Sequence, residues 1–197
     1  MNPSSFRPTL VLLIVMTALC GFIYPASVWL VAQTFFPDKA NGSFITRDGQ
    51  KVGSKLLGQS FHQDVYFWPR PSALDTAKDK NAYIISPASN LGPGNPALIT
   101  RIEERKNKLA PTLQGSNQPL PVDFLLASGS GLDPDISPEA AFLQASRVAN
   151  ARHVPIVLIQ RLIQDQIQDK ELYFLGERRV NVLQLNLALD AQLGAGK

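Results

Sequence analysis

The chain has 197 residues, 45% of them hydrophobic, a net charge of +3 and a single cysteine. That length allows one folded domain plus an accessory element, and the hydrophobic share excludes a disordered chain. A lone Cys20 excludes an intrachain disulfide framework, and basic residues alternate with acids, as in Glu103-Glu104-Arg105-Lys106, so no basic stripe marks a nucleic-acid surface.

From Pro8 to Pro37 there is no charged side chain, a run of 30 residues, where a helix needs about 20 to cross a bilayer. The run therefore predicts a retained transmembrane helix over 10–36, after a short tail at 1–9. A cleaved signal peptide has a shorter apolar core and small residues at −3 and −1, but a cut after Ala32 puts Leu30 at −3. Lipoprotein processing wants a small residue before the cysteine, and Cys20 follows Leu19. Trp29, Phe35 and Phe36 suit an interfacial aromatic belt, and Pro25 predicts a kink or a docking point. Lys39, Arg47 and Lys51 after the span outnumber Arg7 and the amine before it, which slightly favours a cytoplasmic C-terminal side. A domain this long translocates regardless of charge, so the count leaves orientation open.

A linker at 37–52 carries the turn signals Asn41-Gly42 and Asp48-Gly49 around Phe44-Ile45. The soluble domain spans 53–197. Its first block, Gly53–Ala73, predicts a strand and its flank at Phe61, Tyr66, Phe67 and Trp68, ended by Pro69 and Pro71. Such aromatics form core, or, with Arg70, anchor a partner interface. After a loop at Ser86–Asn95, a helix starts at Asn95-Pro96 with Leu98, Ile102 and Leu109 on one stripe and Arg101, Glu104, Arg105 and Lys108 on a solvated face. Pro111–Pro121 is a second polar loop.

Val122–Ala127 reads as a short strand, Gly129 and Gly131 as a turn, and Ser137-Pro138-Glu139 as a helix start with a hydroxyl cap. Glycines there either make a compact turn or expose N–H groups that hold an anion. Ser130 lacks the flanking glycines of a nucleophile elbow. Asp133, Asp135, Ser137 and Glu139 alternate as in the front of a calcium loop, but Pro138 and Gln144 stand where glycine and glutamate belong, so the aspartates brace the turn instead. The helix from Pro138 carries Phe142, Ala145, Val148 and Ala149 as its apolar stripe, with Gln144, Arg147 and Arg152 to other sides. A further helix is expected over Ile156–Gln168, a strand at Leu172–Leu175, a turn at Gly176, and a last helix over Val180–Leu193. His62 and His153 have no partners at metal-ligand spacing, and no catalytic constellation stands out, so neither a metal nor a catalytic residue is expected. The fold class is α/β: one N-terminal transmembrane helix, then a single small mixed α/β domain with a small sheet.

Six ordered blocks, GSKLLGQSF at Gly53–Phe61, YFWPRPSA at Tyr66–Ala73, SNLGPGNP at Ser89–Pro96, PVDFLLASGSGLDPDISPEAA at Pro121–Ala141, QASRVANAR at Gln144–Arg152 and LGERRVNVLQLNLALD at Leu175–Asp190, carry a resemblance. The chain resembles the KdpC family, the small C subunit of the bacterial Kdp potassium-transporting ATPase. Asp135 stands where that family's pattern has histidine, and Pro87-Ala88 where glycines are usual.

The resemblance implies a non-catalytic subunit in the bacterial inner membrane, with its N-terminus cytoplasmic and its domain outside. Implied partners are a channel-like potassium subunit, a P-type ATPase subunit, a tiny membrane subunit and the lipid bilayer. This chain lacks the Asp-Lys-Thr-Gly phosphorylation sequence such an ATPase needs. One mechanism implied is docking on the channel-like partner, with Tyr66, Phe67, Trp68, Arg70, Ser89, Asn90 and Leu91 as the interface. A second is a catalytic chaperone that raises the ATPase subunit's nucleotide affinity, with Gln144, Arg147 and Arg152 touching ATP transiently. A reading from another class is an independent anchored hydrolase using Asp133 or Asp135.

Overall fold

The computed structural model describes residues 3–47, 49–72, 89–110 and 119–194. Asp48, Ala73 and the expected loop residues 86–88 and 111–118 lie outside them. The chain divides into two compact units, Met1–Ile45 and Thr46–Lys197.

The first unit is helical. Helix α1 (Pro3–Ala18) passes through a π-turn at Leu19–Ile23 into α2 (Tyr24–Phe35). Within it, Phe6–Phe35 is 30 residues of mean hydropathy 2.2, with no residue of its most apolar window buried, long and apolar enough to cross a membrane. Pro25 explains the π-turn. It has no N–H to offer the carbonyl one turn back, and its ring presses on that carbonyl; the helix widens just before it, and the Tyr24 N–H reaches five residues back to Leu19 O. The hydroxyls of Ser27 and Thr34 each donate to the carbonyl four residues earlier at 2.7 Å, which satisfies both on this apolar surface. A short helix α3 (Pro37–Ala40) follows.

Strands β1 (Phe44–Arg47) and β2 (Gln50–Ser54) form a two-stranded sheet. The larger unit then continues through α4 (Pro96–Leu109), α5 (Val122–Leu125), β3 (Asp135–Ile136), α6 (Pro138–Arg152), α7 (Ile156–Gln166), β4 (Ile167–Gln168), β5 (Arg179–Asn181) and α8 (Val182–Leu193). Its sheet is antiparallel in the order β3-β5-β4, with Ile136 and Ile167 both opposite Val180. Val180 is wholly buried, and around it pack Phe67, Leu109, Phe124, Val148, Ile159, Ile163, Leu185 and Leu189. The expected caps are in place. Asn95 and Ser137 each accept an N–H of the helix they open, from Ala97 and Ala140.

Five expectations are corrected. Val122–Ala127 is not a strand: after Pro121 the chain makes one helical turn, which buries Phe124 and leaves Val122 68% exposed. The Asp123 carboxylate accepts from the Ser137 N–H (2.6 Å) and hydroxyl (3.1 Å), so this turn is tied to the start of α6 rather than to a sheet. Phe61–Trp68 pairs with no strand among the described residues. Leu172–Leu175 is a loop, with only Glu171 and Leu175 bridging across it. The helix expected to start at Val180 starts at Val182, because Val180 and Asn181 belong to β5 and the Asn181 side chain caps the helix through Gln184 N–H. Likewise Ile167 and Gln168 leave α7 to form β4.

Gly58 shows how tightly the Gly53–Phe61 block is seated. Its N–H donates to Leu132 O at 2.7 Å, and a Cβ there would stand 2.7 Å from the Asp133 carbonyl oxygen. Backbone meets backbone, so only glycine fits.

Candidate functional site

The segment Asp64–Arg70 opens with a turn, in which Tyr66 N–H closes on Gln63 O at 3.1 Å, and runs on as a strap that pairs with no strand among the described residues, yet much of its backbone is hydrogen-bonded. In an extended chain, both polar groups of one residue face one side and those of the next face the other. Phe67 and Trp68 follow this rule. The Asn186 amide of α8 accepts from Phe67 N–H at 2.8 Å and donates to Phe67 O at 3.0 Å. The Gln144 amide of α6 accepts from Trp68 N–H at 2.7 Å and donates to Trp68 O at 3.2 Å. Two side-chain amides thus replace two strands, one from each helix.

Arginines bond the remaining carbonyls. Arg147 donates to Asp64 O (2.6 Å) and Tyr66 O (3.0 Å), Arg152 to Val65 O (2.7 Å), and Arg105 to Pro69 O (3.0 Å). Two of these guanidinium groups also lie over the strap's rings: Arg147 stands 3.9 Å from the Trp68 ring centre and Arg152 5.0 Å from that of Tyr66. Asp190 of α8 closes the end of the strap, accepting from Arg152 at 2.7 Å and from the Tyr66 hydroxyl at 3.1 Å. At the other end, Arg70 pairs with Asp133 at 2.8 Å, and Asp133 also accepts from Asp135 N–H at 3.0 Å, the turn-bracing role expected of these aspartates.

The electrostatics follow from burial. Burial pulls the Arg147 guanidinium down to about 10, with Asp64 opposing and Arg105 reinforcing the shift; the group stays charged at neutral pH. Burial raises the Tyr66 phenol, and its bond to Asp190 raises it further, so Tyr66 is held as a neutral donor. Burial also raises Asp135, against the lowering effect of Asn181 and with Asp133 adding to the rise. Arg179 lies 3.3 Å from Asp135 and lowers it least.

The strap collects several of the residues singled out in the sequence. Gln144, Arg147 and Arg152 converge on it. Expected off the apolar stripe of α6, all three are nonetheless covered: Gln144 is wholly buried, and the Arg147 and Arg152 side chains are 10% and 4% exposed. Phe67 and Trp68 are core, at 0% and 7%, while Tyr66 and Arg70 are half-buried. Arg105, expected on a solvated face, is half-buried and bonds Phe124 O at 3.2 Å as well as Pro69 O. Ser89, Asn90 and Leu91 lie apart from the strap's bonds. Ser89 lines a cleft of about 350 Å³ between α4 and Leu125–Ala127, and Asn90 is exposed with a left-handed φ of 48°. Sequence reasoning missed Asn186, Asp190 and Arg105 as partners of the strap. The available signal was an amide at the centre of an otherwise apolar stripe, with Asn186 flanked by Leu185 and Leu187.

A family model described as "K+-transporting ATPase, c chain" matches residues 6–191. Curated relatives named potassium-transporting ATPase KdpC subunit include one from Beijerinckia indica, 47% identical over 94% of this chain and 93% of its own. One from Methylococcus capsulatus is 47% identical over 94% and 97%, and one from Burkholderia mallei is 46% identical over 98% of both chains.

Proposed function

The chain belongs to the KdpC family of K+-transporting ATPase c chains, and from that premise we propose that it is a non-catalytic, single-span subunit that assembles with and steadies the channel-like and P-type ATPase subunits of a Kdp complex. In this reading the span sits in the inner membrane with the N-terminus cytoplasmic, and the domain on the outer side docks on the channel-like partner. The observation that carries it is the strap. Gln144, Arg147, Arg152, Asn186 and Asp190 each bond one internal segment, which makes the domain a stiff body suited to bracing a neighbour. Arg70 and Ser89–Leu91 then act as contact residues at its surface.

Alanine replacement of Arg70, Ser89, Asn90 and Leu91 tests this. Reduced recovery of partner subunits with the purified chain, together with reduced potassium uptake in cells, is the expected outcome; unchanged assembly and uptake would sink the docking reading. Sidedness is tested by a cysteine at the exposed position Asn107 in a Cys20→Ala background. Labelling by a membrane-impermeant reagent on intact cells is expected, and protection until the inner membrane is opened reverses the orientation.

The competing reading is transient ATP contact by Gln144, Arg147 and Arg152. It requires these side chains to release the strap first. Equilibrium binding of ATP to the purified full chain, accompanied by faster hydrogen exchange at the Trp68 amide, would favour it.

A further inference from the structure

The loop between β4 and β5 puts four consecutive apolar residues into solvent: Leu172 is 71% exposed, Tyr173 97%, Phe174 72% and Leu175 48%. Local structure holds them there. Glu171 and Leu175 exchange backbone hydrogen bonds at 2.9 and 2.8 Å, and Phe174 N–H closes on Glu171 O at 3.2 Å. Leu172 and Tyr173 occupy the left-handed region in succession, at φ 52° and 69°. Asn-Gly fills such a tip without steric penalty, whereas a leucine and a tyrosine strain the backbone and here gain no burial in return. A local rule broken with no compensation among the described residues points to a contact outside the domain.

The stem below the tip is cross-braced and electrically neutral. Lys170 pairs with Glu177 at 3.0 Å, Arg178 with Asp169 at 3.1 Å, and Arg179 with Glu171 at 3.1 Å. Three bases and three acids cancel, so the stem offers no net attraction to anionic lipid headgroups, unlike the basic flank of a membrane-surface segment. The paired backbone bonds of Glu171 and Leu175 hold the tip in shape before it meets a partner. That spares a protein interface the entropy of ordering a loop, an advantage that fluid acyl chains do not require.

We infer that Leu172–Leu175 is a preformed apolar knob that inserts into a concave apolar pocket on a partner subunit of the same ATPase complex, with Tyr173 and Phe174 as its anchors. The inference rests on the proposed subunit role and adds to it a contact surface distinct from Arg70 and Ser89–Leu91. It is tested in the purified complex by a benzophenone amino acid in place of Tyr173 and by the double substitution Tyr173→Ser, Phe174→Ser in the full chain. Photolysis is expected to join the chain to an identified protein subunit, and the double variant to dissociate from the complex at least ~10-fold more readily during detergent washes, with an unchanged melting temperature. Adducts to lipid alone, or none, overturn the knob. Equal retention of the double variant, while the unsubstituted chain co-purifies, overturns the knob and leaves the subunit role standing. Failure of the unsubstituted chain to co-purify overturns both.

Discussion

Tyr66-Phe67-Trp68 and Leu172-Tyr173-Phe174 are both short, apolar and aromatic, and the molecule treats them in opposite ways. The first has its backbone bonded by side chains from α6 and α8 and its rings turned into the core. The second has its backbone bonded to itself and its rings turned out. Composition does not separate them. What does is the presence of polar side chains at helix positions that face inward: without Gln144 and Asn186, the strap's peptide groups would be buried bare, at a cost of about 1–3 kcal/mol each.

The largest expected break in this contrast is Arg152→Ala. It removes the 4%-exposed partner of a 10%-exposed Asp190 and three of the bonds that hold the strap and the chain end. Losing one member of a buried pair costs about 3–5 kcal/mol, to be read as a lower urea midpoint of the chain with an unchanged slope. Next comes Gln144→Leu, similar in size but unable to bond Trp68; a loss of about 2–4 kcal/mol is expected, together with faster exchange of the Trp68 amide. If that amide stays protected, the clamp has been misidentified.

Gly58→Ala forces a methyl group to within 2.7 Å of backbone oxygen, and about 1–3 kcal/mol is expected from such overpacking, checked by thermal melting. A smaller effect, opposite in sign at neutral pH, is expected at Asp135. Its carboxyl is raised in the folded state, chiefly by burial, so the folded chain holds this proton more tightly than the unfolded one. Its contribution to stability is therefore greatest below the ordinary carboxylate value and is lost as pH rises through the raised one. Asp135→Asn removes that step: urea midpoints measured from pH 3.5 to 7 should fall less steeply than in the unsubstituted chain, and identical slopes would refute the assignment. Smallest of all is Tyr173→Ser, expected to alter stability by no more than about 0.5 kcal/mol because the side chain is 97% exposed; a larger loss would mean that the tip packs on its own domain.

Local chemistry made much of the fold legible. The uncharged run Pro8–Pro37 announced a long apolar helix, Asn95-Pro96 and Ser137-Pro138 announced helix starts, and the scarcity of strand patterns announced a small sheet. Short apolar runs were not legible, because four to six such residues suit a strand, a buried helical turn or an exposed loop equally well. Val122–Leu125 became a helical turn because Asp123 reaches the cap of α6, a partner 14 residues away. Leu172–Leu175 became a loop tip because Glu171 and Leu175 close on each other.

By itself the sequence determined the elements whose cause is local: a span set by length and absence of charge, helices set by caps and periodicity, turns set by glycine and proline. Its ordered blocks also determined the family. Only the tertiary structure decided what the polar residues on those helices face. A side-chain amide on an apolar stripe has two opposite meanings, solvated or buried and paired, and the choice depends on whether a distant segment brings peptide groups within about 3 Å. Gln144 meets Trp68 across 76 residues and Asn186 meets Phe67 across 119, distances in sequence over which no local pattern acts.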